Sequence, residues 1–155
     1  MFKKILLISI LIAYSGMIFA GTPYLGAGIG IGSSGTVNLF GGYGAAMGEE
    51  ENYYLAGEVF GNLFSSQNDN TNYCQYGASL LPGYFINPAT IVYGRLGVGA
   101  STQNRANSNN TTYAQIGAGL QKDFSDKLTL RGEFVHNTYV PTANELNAGL
   151  VIKLN

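Results

Sequence analysis

The sequence predicts an all-β protein, an eight-stranded antiparallel up-and-down barrel that crosses a membrane. Three observations predict it. Eight segments of the 155-residue chain alternate with period two. In each segment one face is apolar and free of Lys, Arg, Asp and Glu. The opposite face carries glycine, amides and charge. Strands of about nine to eleven residues are long enough to cross a bilayer when tilted. A soluble barrel would turn its apolar face inward, so this pattern points to lipid outside.

The segments follow in order. Tyr24–Gly32 sets Leu25, Ala27, Ile29 and Ile31 against four glycines. Thr36–Ala45 sets Val37, Leu39, Tyr43 and Ala45 against Asn38, Phe40, Gly42 and Gly44. Tyr53–Leu63 sets Tyr53, Leu55, Val59 and Leu63 against Tyr54, Ala56, Glu58 and Phe60. Tyr73–Pro82 opposes Cys74, Tyr76, Ala78 and Leu80 to Gln75, Gly77 and Ser79. Ile91–Ala100 opposes Val92, Leu96 and Val98 to Tyr93, Arg95, Gly97 and Gly99. Thr112–Gln121 opposes Ala114, Ile116, Ala118 and Leu120 to Gln115, Gly117, Gly119 and Gln121. Leu128–His136 opposes Leu128, Leu130 and Phe134 to Thr129, Arg131 and Glu133. Glu145–Leu154 opposes Leu146, Ala148, Leu150, Ile152 and Leu154 to Asn147, Gly149 and Lys153.

The connections alternate as well. Compact gaps at 46–52, 83–89 and 122–127 read as periplasmic turns. Polar stretches at 65–72, 101–111 and 137–144 read as external loops. Only Ser33-Ser34-Gly35 is short where a long loop is expected. Both termini then lie in the periplasm.

Residues 1–20 read as a secretory signal peptide. Lys3 and Lys4 precede the apolar run Ile5–Ile12, and Met17-Ile18-Phe19-Ala20 offers cleavage after Ala20. The domain organisation is therefore a leader at 1–20 and one barrel domain at 21–155. Serines and Gly16 interrupt the apolar run, which disfavours a membrane anchor.

The mature region has six basic and nine acidic residues, so nothing argues for nucleic acid as a partner. A single cysteine, Cys74, excludes an internal disulfide and reads as a small buried or lipid-facing residue. Gly26–Gly32 holds a Gly-x-Gly pattern, but no helix follows it, so no dinucleotide site is expected. Glu49-Glu50-Glu51 reads as a solvated turn, and no metal or other cofactor is expected.

Leu80-Leu81-Pro82-Gly83-Tyr84 with Val92-Tyr93-Gly94-Arg95-Leu96-Gly97-Val98-Gly99 resembles the fourth and fifth strands of small outer-membrane β-barrel proteins. This is the Gram-negative family related to the membrane domain of outer-membrane protein A and to bacterial surface antigens. Gly117-Ala118-Gly119-Leu120 and Leu130-Arg131-Gly132-Glu133-Phe134 resemble its sixth and seventh strands. The resemblance implies a cell outer membrane location. It also implies insertion by the barrel-insertion machinery, contact with outer-membrane lipid, and external loops free to meet host or environmental ligands. Such chains usually end on an aromatic residue, whereas this one ends Leu154-Asn155.

Four charges face the expected lumen near mid-strand: Glu58, Arg95, Arg131 and Glu133. Buried charges are costly unless paired, so these four should form a closed structural network that plugs the barrel. The resemblance also admits a gate on a narrow ion path. Eight strands leave room only for side chains, which disfavours a general porin.

The leading expectation is thus a non-enzymatic outer-membrane barrel with a structural or adhesion role. One alternative is a soluble exported barrel binding a small ligand. The other is a lipid A deacylase built on His136, Thr138 and Glu145, a faint likeness to a His/Ser/Glu site. There threonine replaces serine, and parity sends Glu145 to the face opposite His136.

Overall fold

The computed structural model describes residues 21–32, 35–48, 50–66, 71–103, 110–138 and 144–154. The leader expected at 1–20 lies outside them, as do the stretches 67–70, 104–109 and 139–143 of the expected external loops. The strands are β1 (Thr22–Gly32), β2 (Gly35–Met47), β3 (Tyr53–Ser66), β4 (Thr71–Asn87), β5 (Thr90–Gln103), β6 (Thr111–Asp123), β7 (Leu128–Asn137) and β8 (Asn144–Lys153). Every strand pairs antiparallel with its chain neighbours, and β8 returns to β1, so the sheet closes on itself. Closure leaves no unpaired strand edge, which is what a sheet in hydrocarbon needs. Below, the lower end of the barrel is the one holding Thr22 and Lys153. There the Leu154 N–H donates to the Pro23 carbonyl at 2.8 Å and extends the seam.

Alternation places the faces as the sequence pattern predicts. Leu25, Ile29, Val37, Leu63, Leu80, Val98, Ile116 and Leu146 are all exposed on the outside, Ile31 reaching 71 %. Among the described strand residues, outward Lys, Arg, Asp or Glu is confined to the lower end of β6, at exposed Lys122. Cys74 is exposed on the same outer face. Tyr53 and Tyr84 stand edge to face on the outside near the lower end, ring centroids 5.8 Å apart.

The strands are longer than the pattern alone delimits. β3, β4 and β5 span 14, 17 and 14 residues, against ten each for β7 and β8. One wall is therefore taller. The largest difference is in β4, which continues through Pro82 and Gly83 to Asn87, where a compact connection from Gly83 was expected. Pro82 has no N–H to donate and ordinarily marks a strand end. Here pairing with β5 stops at Leu80↔Leu96 and resumes in the same register at Gly83↔Tyr93, while β3 pairs with Leu81 and Pro82 throughout. The intact β3 ladder carries the strand past the missing donor. A register shift between Phe85 and Asn87 then leads to a tight turn, closed by the Ala89 N–H on Asn87 Oδ1 at 3.0 Å.

The interior is layered. Near the lower end, Tyr24, Ala56, Leu81, Tyr93 and Val151 form an apolar cluster supported by Phe40, Tyr54 and Ile91. Tyr54 in turn packs edge to face with Phe85, ring centroids 6.0 Å apart. The charged layer lies above, and an amide layer with Phe60 and Tyr113 fills the upper part. The soluble ligand-binding alternative does not fit this architecture. Its exterior would have to be polar, and the void beside Glu58, Arg95 and Glu133 in the lumen is about 20 Å³, room for about one water.

A charge network in the lumen as the candidate functional site

β3, β5 and β7 all run in the same direction, and each projects its charged side chains inward near mid-barrel. Glu58 stands on β3, Arg95 on β5, and Arg131 and Glu133 on β7. The structure brings all four together. Glu58 Oε1 accepts from Arg95 Nη2 at 2.6 Å. Glu58 Oε2 accepts from Arg131 Nη1 at 2.5 Å and from the Tyr24 hydroxyl at 3.0 Å. Arg95 also binds Glu133 Oε2, through Nη2 at 3.0 Å and Nε at 3.1 Å. Tyr93 donates to the same Glu133 oxygen at 2.7 Å.

The remaining guanidinium donors are satisfied by neutral groups. Arg95 Nη1 donates to Ser79 Oγ at 3.1 Å and to Gln115 Oε1 at 3.4 Å. Gln115 passes a hydrogen bond on to Asn137 at 3.0 Å. With its amide oxygen turned toward Arg131, Gln121 accepts from Nη2 at 2.8 Å and Nε at 3.2 Å. The Arg131 guanidinium also lies over the Phe40 ring, 4.3 Å from the centroid, a favourable cation–π placement. Glu58, Arg95 and Arg131 are 3–4 % exposed. Two positive and two negative charges at one depth, bound to one another and to neutral hydrogen-bond partners, offset the several kcal/mol each ion costs on leaving water.

Alternation alone placed the four charges on the inner face. The neutral partners carried a weaker signal: Ser79, Gln115 and Gln121 share the inward parity, but nothing in the sequence matches their depths. Two further polar groups lie at the ends. Above, Thr36 donates to Glu145 at 3.1 Å and Asn38 to Asn147 at 2.8 Å. Below, Lys153 pairs with Asp123 at 2.6 Å, and Thr129 donates to the same carboxylate.

The His136, Thr138 and Glu145 arrangement expected for a lipid A deacylase does not form. His136 Nδ1 contacts Asn144 Oδ1 at 2.8 Å, outside the lumen. The Thr138 hydroxyl is bound to the Ala114 backbone. Glu145 is buried in the lumen against Thr36. Without a shared face, no base can take the threonine proton while a carboxylate orients it. Among the described residues no group of three or more metal-ligating side chains is found.

The packing around the network is tight. A Cβ at Gly119 would lie 2.5 Å from the Tyr93 ring and hydroxyl and 2.8 Å from Glu133 Cβ. Gly119→Ala should therefore push Tyr93 off Glu133 and cost about 1–3 kcal/mol through overpacking. Denaturant unfolding in detergent measures this. A Gly119→Ala/Tyr93→Ala double variant that loses less than the two single losses combined would show that the clash is the cause.

No family model and no curated relative matches the chain. Solved structures do. Ail, the attachment invasion locus protein of Yersinia pestis, is similar at a TM-score of 0.60 and 15 % identity, over 86 % of this chain and 95 % of that one. The N-terminal β-barrel domain of Pseudomonas aeruginosa OprF is similar at 0.59 and 14 % identity, over 86 % and 99 %. Neisserial surface protein A is similar at 0.56 and 12 % identity, over 86 % and 96 %. At these identities the likeness concerns the fold, and it agrees with the closed eight-stranded sheet and its apolar exterior. This chain has the fold of the small outer-membrane β-barrels.

Proposed function

We propose that this chain is a non-enzymatic protein of the bacterial outer membrane whose lumen is closed and whose upper loops make its contacts. The observation that carries the reading is the neutral, filled charge layer across the barrel. Glu58, Arg95, Arg131 and Glu133 serve there as a structural plug that ties β3, β5 and β7 together. In this reading residues 1–20 direct export, the termini face the periplasm, and the outward Leu154 end is presented to the insertion machinery. The polar stretches 67–70, 104–109 and 139–143 then lie outside the cell, where loops on a rigid scaffold are free to bind a host or environmental surface. The naming of Ail for attachment supports a contact role of this kind.

Planar-bilayer recording tests the closed lumen. Wild-type barrel should give no defined conductance steps, and regular steps from the wild type would overturn the plug. Adhesion of cells displaying the protein tests the loops. Replacing residues 104–109 by Gly-Ser repeats should lower adhesion without altering barrel folding, and unchanged adhesion after all three stretches are replaced would refute the contact role.

A further inference from the structure

The outer surface is not evenly covered. A furrow of about 650 Å³ crosses it from β1 to β5, with almost wholly apolar walls. The strand register explains it. Two adjacent rows of outward side chains run across the sheet along the hydrogen-bonding direction. In one row Gly41 lies opposite Val59, and Val59 opposite Ala78. In the other Tyr43 lies opposite Gly57, and Gly57 opposite Leu80. Gly57 and Ala78 make the floor, because their positions in the belt are almost empty of side chain, while at the β1 end the Leu25 side chain leans over Gly41 and forms a wall. A Cβ placed on Gly57 would meet nothing within 4 Å.

We infer that this furrow is a binding site for one acyl chain of a membrane lipid. The inference rests on the barrel lying in a membrane, as proposed above. Three features favour an acyl chain as occupant. The furrow is sunk in the hydrocarbon-facing belt and is continuous with it, so a lipid tail needs no route of entry. It is long and narrow: four inter-strand steps of about 4.8 Å give about 19 Å, comparable to the ~15 Å of one leaflet's hydrocarbon. Its lower end opens beside Pro23 and Leu154, at the rim where headgroups of the adjoining leaflet would lie. A second copy of the chain fits less well. A two-fold contact would set furrow against furrow and leave a void rather than a packed seam.

The site differs from the rest of the belt by shape alone, so its selectivity is for a flexible, unbranched chain. A chain seated there gains dispersion contacts with the glycine floor that the convex walls do not offer.

Photolabelling tests this. The full barrel is reconstituted in vesicles of phosphatidylethanolamine and phosphatidylglycerol, a fraction of which carries a diazirine in the acyl chain. After illumination, labelled peptides are mapped by mass spectrometry. Labelling of the β2–β5 segments should exceed that of β6–β8 several-fold. Gly57→Leu, which fills the floor, should abolish the excess, whereas Gly132→Leu, an outward glycine on β7 with equally open space, should leave it intact. Even labelling round the folded wild type, or an excess that survives Gly57→Leu, overturns the inference and leaves the membrane reading standing. Cross-linked dimers through the furrow overturn it in favour of a second copy. Failure to insert, seen as the absence of a heat-modifiable compact form in the same vesicles, overturns the membrane reading and the inference with it.

Discussion

Glu58→Ala is expected to destabilise the barrel by about 3–5 kcal/mol, the cost of leaving buried charge unpaired. Glu58 is the hub of the lumen. Its carboxylate receives Arg95, Arg131 and Tyr24. Alanine removes the anion and leaves two guanidinium groups at one depth, repelling each other and sharing the single carboxylate of Glu133. Arg95→Ala should cost less than Glu58→Ala, since Arg131 stays bound to Glu58. The double variant should lose less than the two single losses combined, with a coupling energy of about 0.5–3 kcal/mol. Urea unfolding of the four proteins in one detergent measures the cycle. Additive losses would show that the pair in contact at 2.6 Å does not interact energetically.

Ile116→Arg should cost about 2–4 kcal/mol if the outer belt faces hydrocarbon, because charge on a lipid-facing strand is most costly at mid-bilayer. Ile116 lies near the middle of β6, more than half exposed, between Leu96 of β5 and His136 of β7. Thr112 shares its face on the same strand but sits near the upper rim. Thr112→Arg should therefore cost no more than about 1 kcal/mol. Both variants are compared with wild type by unfolding from lipid vesicles. In an aqueous surroundings both positions would tolerate arginine alike, so equal and small effects would contradict a membrane setting.

The contrast between these substitutions reflects what the sequence made legible. Period-two alternation assigns a face to each residue, and one step of register would reverse every assignment. Hence the inward set of Glu58, Arg95, Arg131 and Glu133, and the uncharged outward set, were readable from the chain alone. Whether those charges touch depends on strand tilt and barrel width, which no local pattern encodes. Glu58 and Arg131 are 73 residues apart and meet across the lumen. The same limit hid Ser79, Gln115 and Gln121 as partners. It also hid the furrow, since Gly41, Gly57 and Ala78 become neighbours only in the observed register.

The ends of the strands were less legible for a different reason. Pro82-Gly83 is a turn signal in isolation, yet β4 continues through it because β3 pairs with it on the other side. Polar residues such as Ser65, Ser66 and Thr71 look like loop, yet in a barrel that rises above its apolar belt they continue the ladder. Glu145 and His136 illustrate the reverse case. Alternation alone put them on opposite faces, and the structure keeps them there, which removes the geometry of the deacylase alternative.

Membrane fractionation combined with gel migration tests the central claim most directly. Expressed in a Gram-negative host, the protein should float with the outer-membrane fraction and resist extraction by carbonate. Unheated, it should run as a compact band that shifts on boiling. Recovery as a soluble monomer from the periplasm without detergent would contradict the account.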